Sequence, residues 1–344
     1  MLEHILKEAV CQNASDVHIK AGGVPVCRIN GVLSRQNLPA VSENAITSFI
    51  EQYGTCAVNE TEADFCCRID GAGSFRVHGY LQNGFPALAV RIIKSAVPSL
   101  SDLNAPPLLE KLAMQRSGLI LVTGLAGSGK STTLAAMVDF INRNKSAHIV
   151  TLEDPPEYRF KEDKSIISQR QVGSDTASFA LGLRAALRQD PDVIMIGELR
   201  DAQTAASAVS AAETGHLVLA TLHTRSAVLA VSRMLDFFAP EKQQQMRAQL
   251  AENLQAVIAQ QLVPGCHGGR TAAFEVLAFT QAVRSLLRDG KAYQLTSYMQ
   301  SGRQQGMQCM DYALAYLAKT GAITKQTAQE YAFDIDLLNK YLLQ

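Results

Sequence analysis

The sequence predicts an α/β protein of two domains, and three observations carry that prediction. The chain has 344 residues, too many for one ordinary domain and about right for two. Short alternating runs separated by glycine-rich turns occupy most of the first hundred residues. Beyond a proline-containing stretch, almost continuously apolar runs alternate with helical patterns, as strands covered by helices on both faces require.

Taken in order, residues 2–12 have helical periodicity, and alternating runs follow at 16–20, 26–29, 74–80 and 87–94. Turns such as Gly22-Gly23 and Asp70-Gly71-Ala72-Gly73 separate the runs, and a helix is expected near 43–53. Residues 1–97 therefore read as a small mixed α/β domain. Residues 98–115 carry Pro98, Pro106, Pro107 and a Ser-Asp-Leu-Asn stretch, which is linker composition. Four buried parallel strands are expected at 118–123, 148–152, 193–196 and 217–222, with helices at 131–144, 178–188, 202–213 and 226–237. That pattern makes 116–270 a doubly wound α/β domain. From about residue 240 the chain reads as nearly all helix, and 271–344 is expected as a helical C-terminal region.

Composition excludes several classes. Hydrophobic residues make up 47% and charged residues 19%, which is globular rather than disordered. Lys plus Arg and Asp plus Glu number 32 each, so net charge exerts no global pull toward nucleic acid or an anionic membrane. No apolar run approaches 18 residues and the N-terminus lacks a signal-peptide pattern, so neither a membrane span nor export is expected. The seven cysteines are scattered without a C-x-x-C, and Cys266-His267 lacks a second ligand pair. Reduced thiols in a cytosolic protein, with no metal cluster, are the expectation. Cys66-Cys67 reads as one buried and one exposed strand position.

The strongest chemical signal is Gly124-Leu125-Ala126-Gly127-Ser128-Gly129-Lys130-Ser131, a full match to G-x-x-x-x-G-K-[ST], followed by Thr132. An apolar strand enters it and a helical pattern leaves it, the context a phosphate-binding loop needs. Glycines let successive N–H groups wrap phosphates without Cβ clashes, and the helix N-terminus adds partial positive charge. Lys130 is expected at the β/γ-phosphates and the Ser131 hydroxyl on Mg²⁺, so the chain is predicted to bind a nucleoside triphosphate.

Hydrolysis also needs carboxylates. Val193-Ile194-Met195-Ile196-Gly197-Glu198 is an apolar strand ending in an acid, with Gly197 where many nucleotide hydrolases place a metal-binding Asp. Glu198 is then left to orient or deprotonate water, and Glu153-Asp154, ending another strand, is the candidate to assist and to hold Mg²⁺ through water. Carboxyl ends of neighbouring strands converge on the ligand crevice of a doubly wound sheet. The alternative is solvated acids capping strand ends. His216 and His223 bracket the strand 217–222, about 23 Å apart, too far to share a metal. Sensing the γ-phosphate, or transmitting its state to a neighbouring subunit, competes there with plain packing.

With these residues in place, the chain resembles the PilT-type type IV pilus retraction motors of the secretion-ATPase superfamily. The resemblance spans nearly the whole chain: Ala14-Ser15-Asp16-Val17-His18-Ile19, Arg28-Ile29-Asn30-Gly31, Phe75-Arg76-Val77, the P-loop and the acidic box Thr151-Leu152-Glu153-Asp154-Pro155-Pro156-Glu157. It continues through Gly197-Glu198-Leu199-Arg200-Asp201 and the histidine box from Thr214-Gly215-His216 to Thr221-Leu222-His223-Thr224. The segment Ala282-Val283-Arg284-Ser285-Leu286-Leu287-Arg288-Asp289 is similar to a helix motif of retraction motors, and Gly306-Met307-Gln308-Cys309-Met310-Asp311 to their C-terminal segment. By spacing alone, 282–289 is an ordinary amphipathic helix with Arg284 and Arg288 on a solvated face. Departures from the family pattern include Pro156, Ser285 and Asp289.

The resemblance implies a RecA-like P-loop domain preceded by a small PAS-like α/β domain, assembled as a homohexamer. It also implies that arginines of the N-terminal domain reach a phosphate. Arg76 and Arg91 are the candidates, because Arg91 is the polar exception in an apolar run and a buried guanidinium needs an anionic partner. A phosphate or an acid of the same domain would serve. An inner-membrane pilus platform protein and a paralogous pilus ATPase are implied partners, with the ring at the cytoplasmic face of the inner membrane. Rival readings are an accessory retraction motor, a related secretion ATPase and a nucleic-acid translocase. The last lacks a basic–aromatic stripe.

Overall fold

The computed structural model describes residues 1–29, 31–54, 62–93, 96–266 and 268–343. Asn30, Cys56, Lys94 and His267, which figure in the sequence expectations, lie outside the described residues. The chain forms two compact units, Met1–Ala96 with Pro155–Arg159, and Val97–Asp154 with Phe160–Gln344.

In the first unit, alternation decides which face is buried. Helix α1 (Leu2–Cys11) precedes strands β1 (Ala14–Lys20), β2 (Val26–Ile29) and β3 (Val32–Arg35). Helix α2 (Glu43–Tyr53) and strands β4 (Glu62–Ile69), β5 (Gly73–Gln82) and β6 (Phe85–Ile93) follow. The strands pair antiparallel in the order β3-β2-β1-β6-β5-β4. Val17, Ile19, Phe75, Val77 and Val90 pack with Leu6, Ile46 and Phe49 of the two helices. The side chains between them, Asp16, His18, Arg76, His78 and Arg91, therefore share the opposite, open face. Cys67 is buried and Cys66 half-buried, in line with strand alternation.

The second unit opens with α3 (Leu108–Ala113), β7 (Gly118–Thr123), α4 (Lys130–Asn144), β8 (His148–Glu153) and β9 (Ile166–Gln171). Then come α5 (Phe179–Ala186), β10 (Val193–Ile196), α6 (Ala202–Glu213), β11 (Leu217–Leu222), α7 (Ala227–Asp236) and α8 (Pro240–Asn253). Strands β12 (Leu254–Pro264) and β13 (Arg270–Ala278) follow, and helices α9 (Gln281–Arg288), α10 (Leu295–Ser301), α11 (Met310–Lys319), α12 (Lys325–Tyr331) and α13 (Ile335–Leu343) end it. The sheet order is β13-β12-β7-β11-β10-β8-β9, parallel except for the β12–β13 pair. Both faces are covered: Leu119, Leu121, Val218 and Ala220 enter one core with α5, α6 and α7, while Ile120, Val122, Leu217 and Leu219 enter the other with α3 and α4. This two-sided burial is why β7, β10 and β11 read as unbroken apolar runs.

Two sequence expectations are corrected. The stretch after residue 240 is not nearly all helix, and residue 270 does not begin a helical region, because β12 and β13 extend the sheet there. Alanines 256, 259, 272 and 273 and the interrupting Gln260-Gln261 suggest helix locally, yet pairing with β7 overrides that preference. Residues 98–115 are not a free linker either. Leu100, Leu109, Leu112 and Ala113 are buried with α4, and Pro106-Pro107 introduces α3 rather than ending order.

Candidate nucleotide-binding site

The P-loop joins β7 to α4 as the spacing predicts, and its glycines have steric reasons. Gly124 has φ +153°, and a Cβ there would lie 2.3 Å from Ser128 Oγ and 2.5 Å from the Gln260 carbonyl oxygen. Gly129, at φ +89°, precedes the first helical residue, and a Cβ there would meet Gln260 Nε2 at 2.8 Å. Gln260, 2% exposed, accepts a 2.6 Å hydrogen bond from the Thr133 hydroxyl and so fixes the neighbouring strand against the loop. The sequence reading missed Gln260. Its only signal was a polar pair interrupting an apolar run.

Lys130 is buried, and its ammonium donates to the carbonyls of Gly124 (2.9 Å) and Leu125 (3.0 Å). The lysine thus holds its charge at the mouth of the loop. Ser128 Oγ is buried without a hydrogen-bond partner among the described residues. An orphaned hydroxyl inside a cradle that Cβ atoms would fill fits a phosphate group. Ser131 and Thr132 occupy the first turn of α4, where the helix N-terminus favours an anion.

Glu153 ends β8, is 7% exposed, and its Oε1 accepts from the Thr151 hydroxyl (2.7 Å) and Gln169 Nε2 (3.1 Å). Gly197 follows β10, and a Cβ there would meet the Leu152 carbonyl at 3.3 Å and Glu153 Cα at 3.5 Å. The glycine in place of Asp therefore lets two acid-bearing strand ends lie side by side. Glu198 pairs with Arg200, and its Oε2 lies 3.3 Å from His223 Nε2. Arg200 also reaches Asp154 at 3.6 Å. Burial pushes the Glu198 carboxyl up, but the hydrogen bond and charge of Arg200 and the nearby His223 outweigh it and hold the group below its ordinary value. Asp201 instead caps α6, accepting from the Thr204 N–H at 2.8 Å. Thr123 ties the end of β7 to the loop after β11, accepting from the Thr224 N–H at 2.8 Å.

The structure separates the two histidines. His223 joins Glu198, whereas His216 sits at the other end of β11, its Nδ1 within 3.0 Å of the Ala211 carbonyl and 3.1 Å of the Thr214 hydroxyl. His216 finishes the turn after α6, at the end of β11 remote from Glu198.

On the open face of the first unit, Arg28, Asp16, Arg91 and Arg76 share one row across four strands. Arg91 is not buried, as the apolar run suggested. It is exposed, with Nε 3.0 Å from Asp16 Oδ1. His78 pairs with Asp64 at 3.2 Å in the next row, and Asp16, Asp64, Arg76, His78 and Arg91 edge a cavity of about 330 Å³. Two guanidinium groups thus share that cavity with two carboxylates, and Arg28 donates instead to the Gly31 carbonyl at 2.9 Å.

A second cavity of about 370 Å³ adjoins the P-loop in the second unit. Its walls are the outer side of the loop, Arg225, residues 260–262 of β12, and residues 330–333, where the exposed Phe333 ring stands. No motif or periodicity points to this contribution from residues 330–333. On α9, Val283 and Leu287 are buried, while Arg284 donates to the carbonyls of Ala251 and Glu252 at the end of α8. The basic face expected to be solvated is thus partly a helix C-cap.

Among known proteins, the family described as type II/IV secretion system protein matches residues 1–328. The chain is 40% identical over 336 residues to the type IV pilus retractation ATPase PilT of Pseudomonas aeruginosa, covering 96% of this chain and 98% of that one. It is also 40% identical over 336 residues to the type IV pilus ATPase PilU of the same organism, covering 96% and 88%. A crystal structure of the pilus retraction motor PilT with bound ADP superposes with a TM-score of 0.89, at 41% identity over 99% of both chains.

Proposed function

Because this chain belongs to the type II/IV secretion system protein family, we propose that it is an ATP-hydrolysing motor that drives type IV pilus retraction. The observation that carries this reading is the pairing of an intact P-loop, Lys130 included, with the Glu198–His223 pair at a neighbouring strand end. Backbone N–H groups of residues 124–132 and the Lys130 ammonium bind the phosphates. Glu198, kept ionised by Arg200 and His223, accepts the proton of the attacking water. The Ser131 hydroxyl and Glu153 (through water) are the groups that would hold Mg²⁺, which when bound neutralises developing phosphate charge. The cavity beside the P-loop takes the nucleoside end, with Phe333 offering a ring face to the base.

Arg76 and Arg91 complete the γ-phosphate site from the first unit of a neighbouring copy in a homohexameric ring. Their cross-strand adjacency on an open face, with the exposed Arg76 held by no ion pair among the described residues, supports that role. Hydrolysis then moves one unit against the other, and the ring acts on an inner-membrane platform protein from the cytoplasmic face. No helix among the described residues is long and apolar enough to cross a membrane. An accessory retraction motor is the second reading, since the chain is as similar to a second type IV pilus ATPase, PilU, as to PilT.

Purified protein tests the chemistry: wild type hydrolyses ATP, Lys130→Ala neither binds nor hydrolyses it, and Glu198→Gln binds without turnover. Deletion in the host separates the biology. Surplus surface pili without motility support a retraction motor, pili retracting with reduced force support the accessory role, and loss of pili refutes both.

A further inference from the structure

Two carboxylates outside the catalytic set are buried and hydrogen-bonded to segments that wall the cavity at the P-loop or adjoin its walls. Glu275 on β13 is 3% exposed and Asp311 in the first turn of α11 is 4% exposed, positions where an acid is costly unless its oxygens are used. Glu275 Oε1 accepts from the Ala227 N–H at 2.7 Å and Oε2 from the Met310 N–H at 3.3 Å. One side chain thus satisfies the first N–H of α7 and of α11. Asp311 Oδ1 accepts from the N–H groups of Phe333 (2.7 Å) and Asp334 (3.2 Å).

Each bond fixes one wall of the cavity. Arg225 lies between Thr224, held by Thr123, and Ala227, held by Glu275, so its loop is tied down at both ends. Phe333 lies on the opposite wall, and its backbone is held by Asp311. The two anchors meet at consecutive residues, Met310 and Asp311, and Gln308 just before them pairs with Val276 of β13 through both backbone groups. The segment from Gln308 to Asp311 therefore links the wall after β11 to the wall formed by the chain's end.

We infer that Asp311 and Glu275 are positioning residues that set affinity for the nucleoside end of ATP by fixing the two walls of this cavity. The inference rests on the proposed nucleotide site and assigns a task to a segment whose sequence resemblance pointed only toward retraction motors. Neither carboxylate reaches the P-loop or Glu198 by any of these bonds, so phosphate binding and the chemical step are left alone. Walls held in place before binding reduce the ordering cost that the ligand otherwise bears.

The test compares ATP with inorganic tripolyphosphate, which has the phosphates and lacks the nucleoside. For Asp311→Ala, the Kd and KM for ATP rise about 10-fold, kcat stays within about 2-fold, and the Kd for tripolyphosphate stays within about 2-fold. Asp311→Asn, whose amide oxygen still accepts both N–H groups, restores wild-type values. Phe333→Ala removes the exposed ring without touching a buried group and reproduces the ATP-selective loss even if Asp311→Ala fails to fold. Equal loss of ATP and tripolyphosphate, unchanged ATP affinity in Phe333→Ala, or no rescue by Asp311→Asn overturns the inference. A wild-type protein that binds no ATP sinks the proposed function itself, whereas one that binds ATP with these variants unaffected sinks only this step.

Discussion

Glu275 makes a stability prediction that can be worked through with its sign. Burial pushes its carboxyl from an ordinary 4.5 up to about 7, with Asp311 adding repulsion, while the Ala227 and Met310 N–H groups pull the other way without prevailing. The folded chain therefore holds a proton at Glu275 that the unfolded chain releases above 4.5. Folded-state stability falls as pH rises from about 4.5 to about 7 and levels off above it, the opposite of a salt-bridged acid. A displacement of that size corresponds to about 3 kcal/mol. Glu275→Gln keeps an oxygen for Ala227 and cannot ionise. Its amide facing Met310 adds a penalty that does not vary with pH, so only the pH slope is diagnostic. Scanning calorimetry of both proteins from pH 5 to 8, following the transition of the second unit, measures the difference. Relative to the variant, the wild-type Tm drops by roughly 6–10 °C across that range. Parallel curves would refute the buried, protonated assignment.

Other expectations follow from the site. Gly124→Ala forces a methyl group against the Gln260 backbone carbonyl, which cannot swing aside, so ATP affinity drops at least about 100-fold in a calorimetric titration while the fold persists. Arg200→Gln removes the main partner of Glu198, so the acid limb of the kcat/KM profile moves to higher pH; an unmoved limb would separate Arg200 from the base. Arg91→Ala lowers turnover of the assembled ring at saturating ATP without changing the activity of unassembled chains, and unchanged ring activity refutes a role across the interface.

Legibility in the sequence tracked burial on both faces. Strands β7, β10 and β11 announced themselves because every residue is buried and nearly all are apolar, and the P-loop because its glycines and lysine have fixed spacing. Strand β9, at the sheet edge with no buried residue, left no such pattern. Strand β12 was hidden by alanines and glutamines whose strand conformation comes from pairing with residues 119–123. At the site, Glu198, Glu153 and His223 were readable as strand ends. That His216 and His223 part company was not readable, because a strand has two ends and the sequence does not say which lies beside Glu198. Gln260, Glu275 and Phe333 were invisible, and Asp311 was visible only as part of a motif without a task, since each acts on backbone or side chains far away in the chain.

The central place of β7 has a consequence for how the protein is made. Its two flanking strands are drawn from residues 217–222 and 254–264, so the loop that grips phosphate emerges from the ribosome well before anything exists to brace it. At ordinary elongation rates that interval is on the order of ten seconds. During it an unpaired, almost wholly apolar segment must be shielded, and a product truncated before residue 254 lacks the strand whose Gln260 carbonyl packs against Gly124.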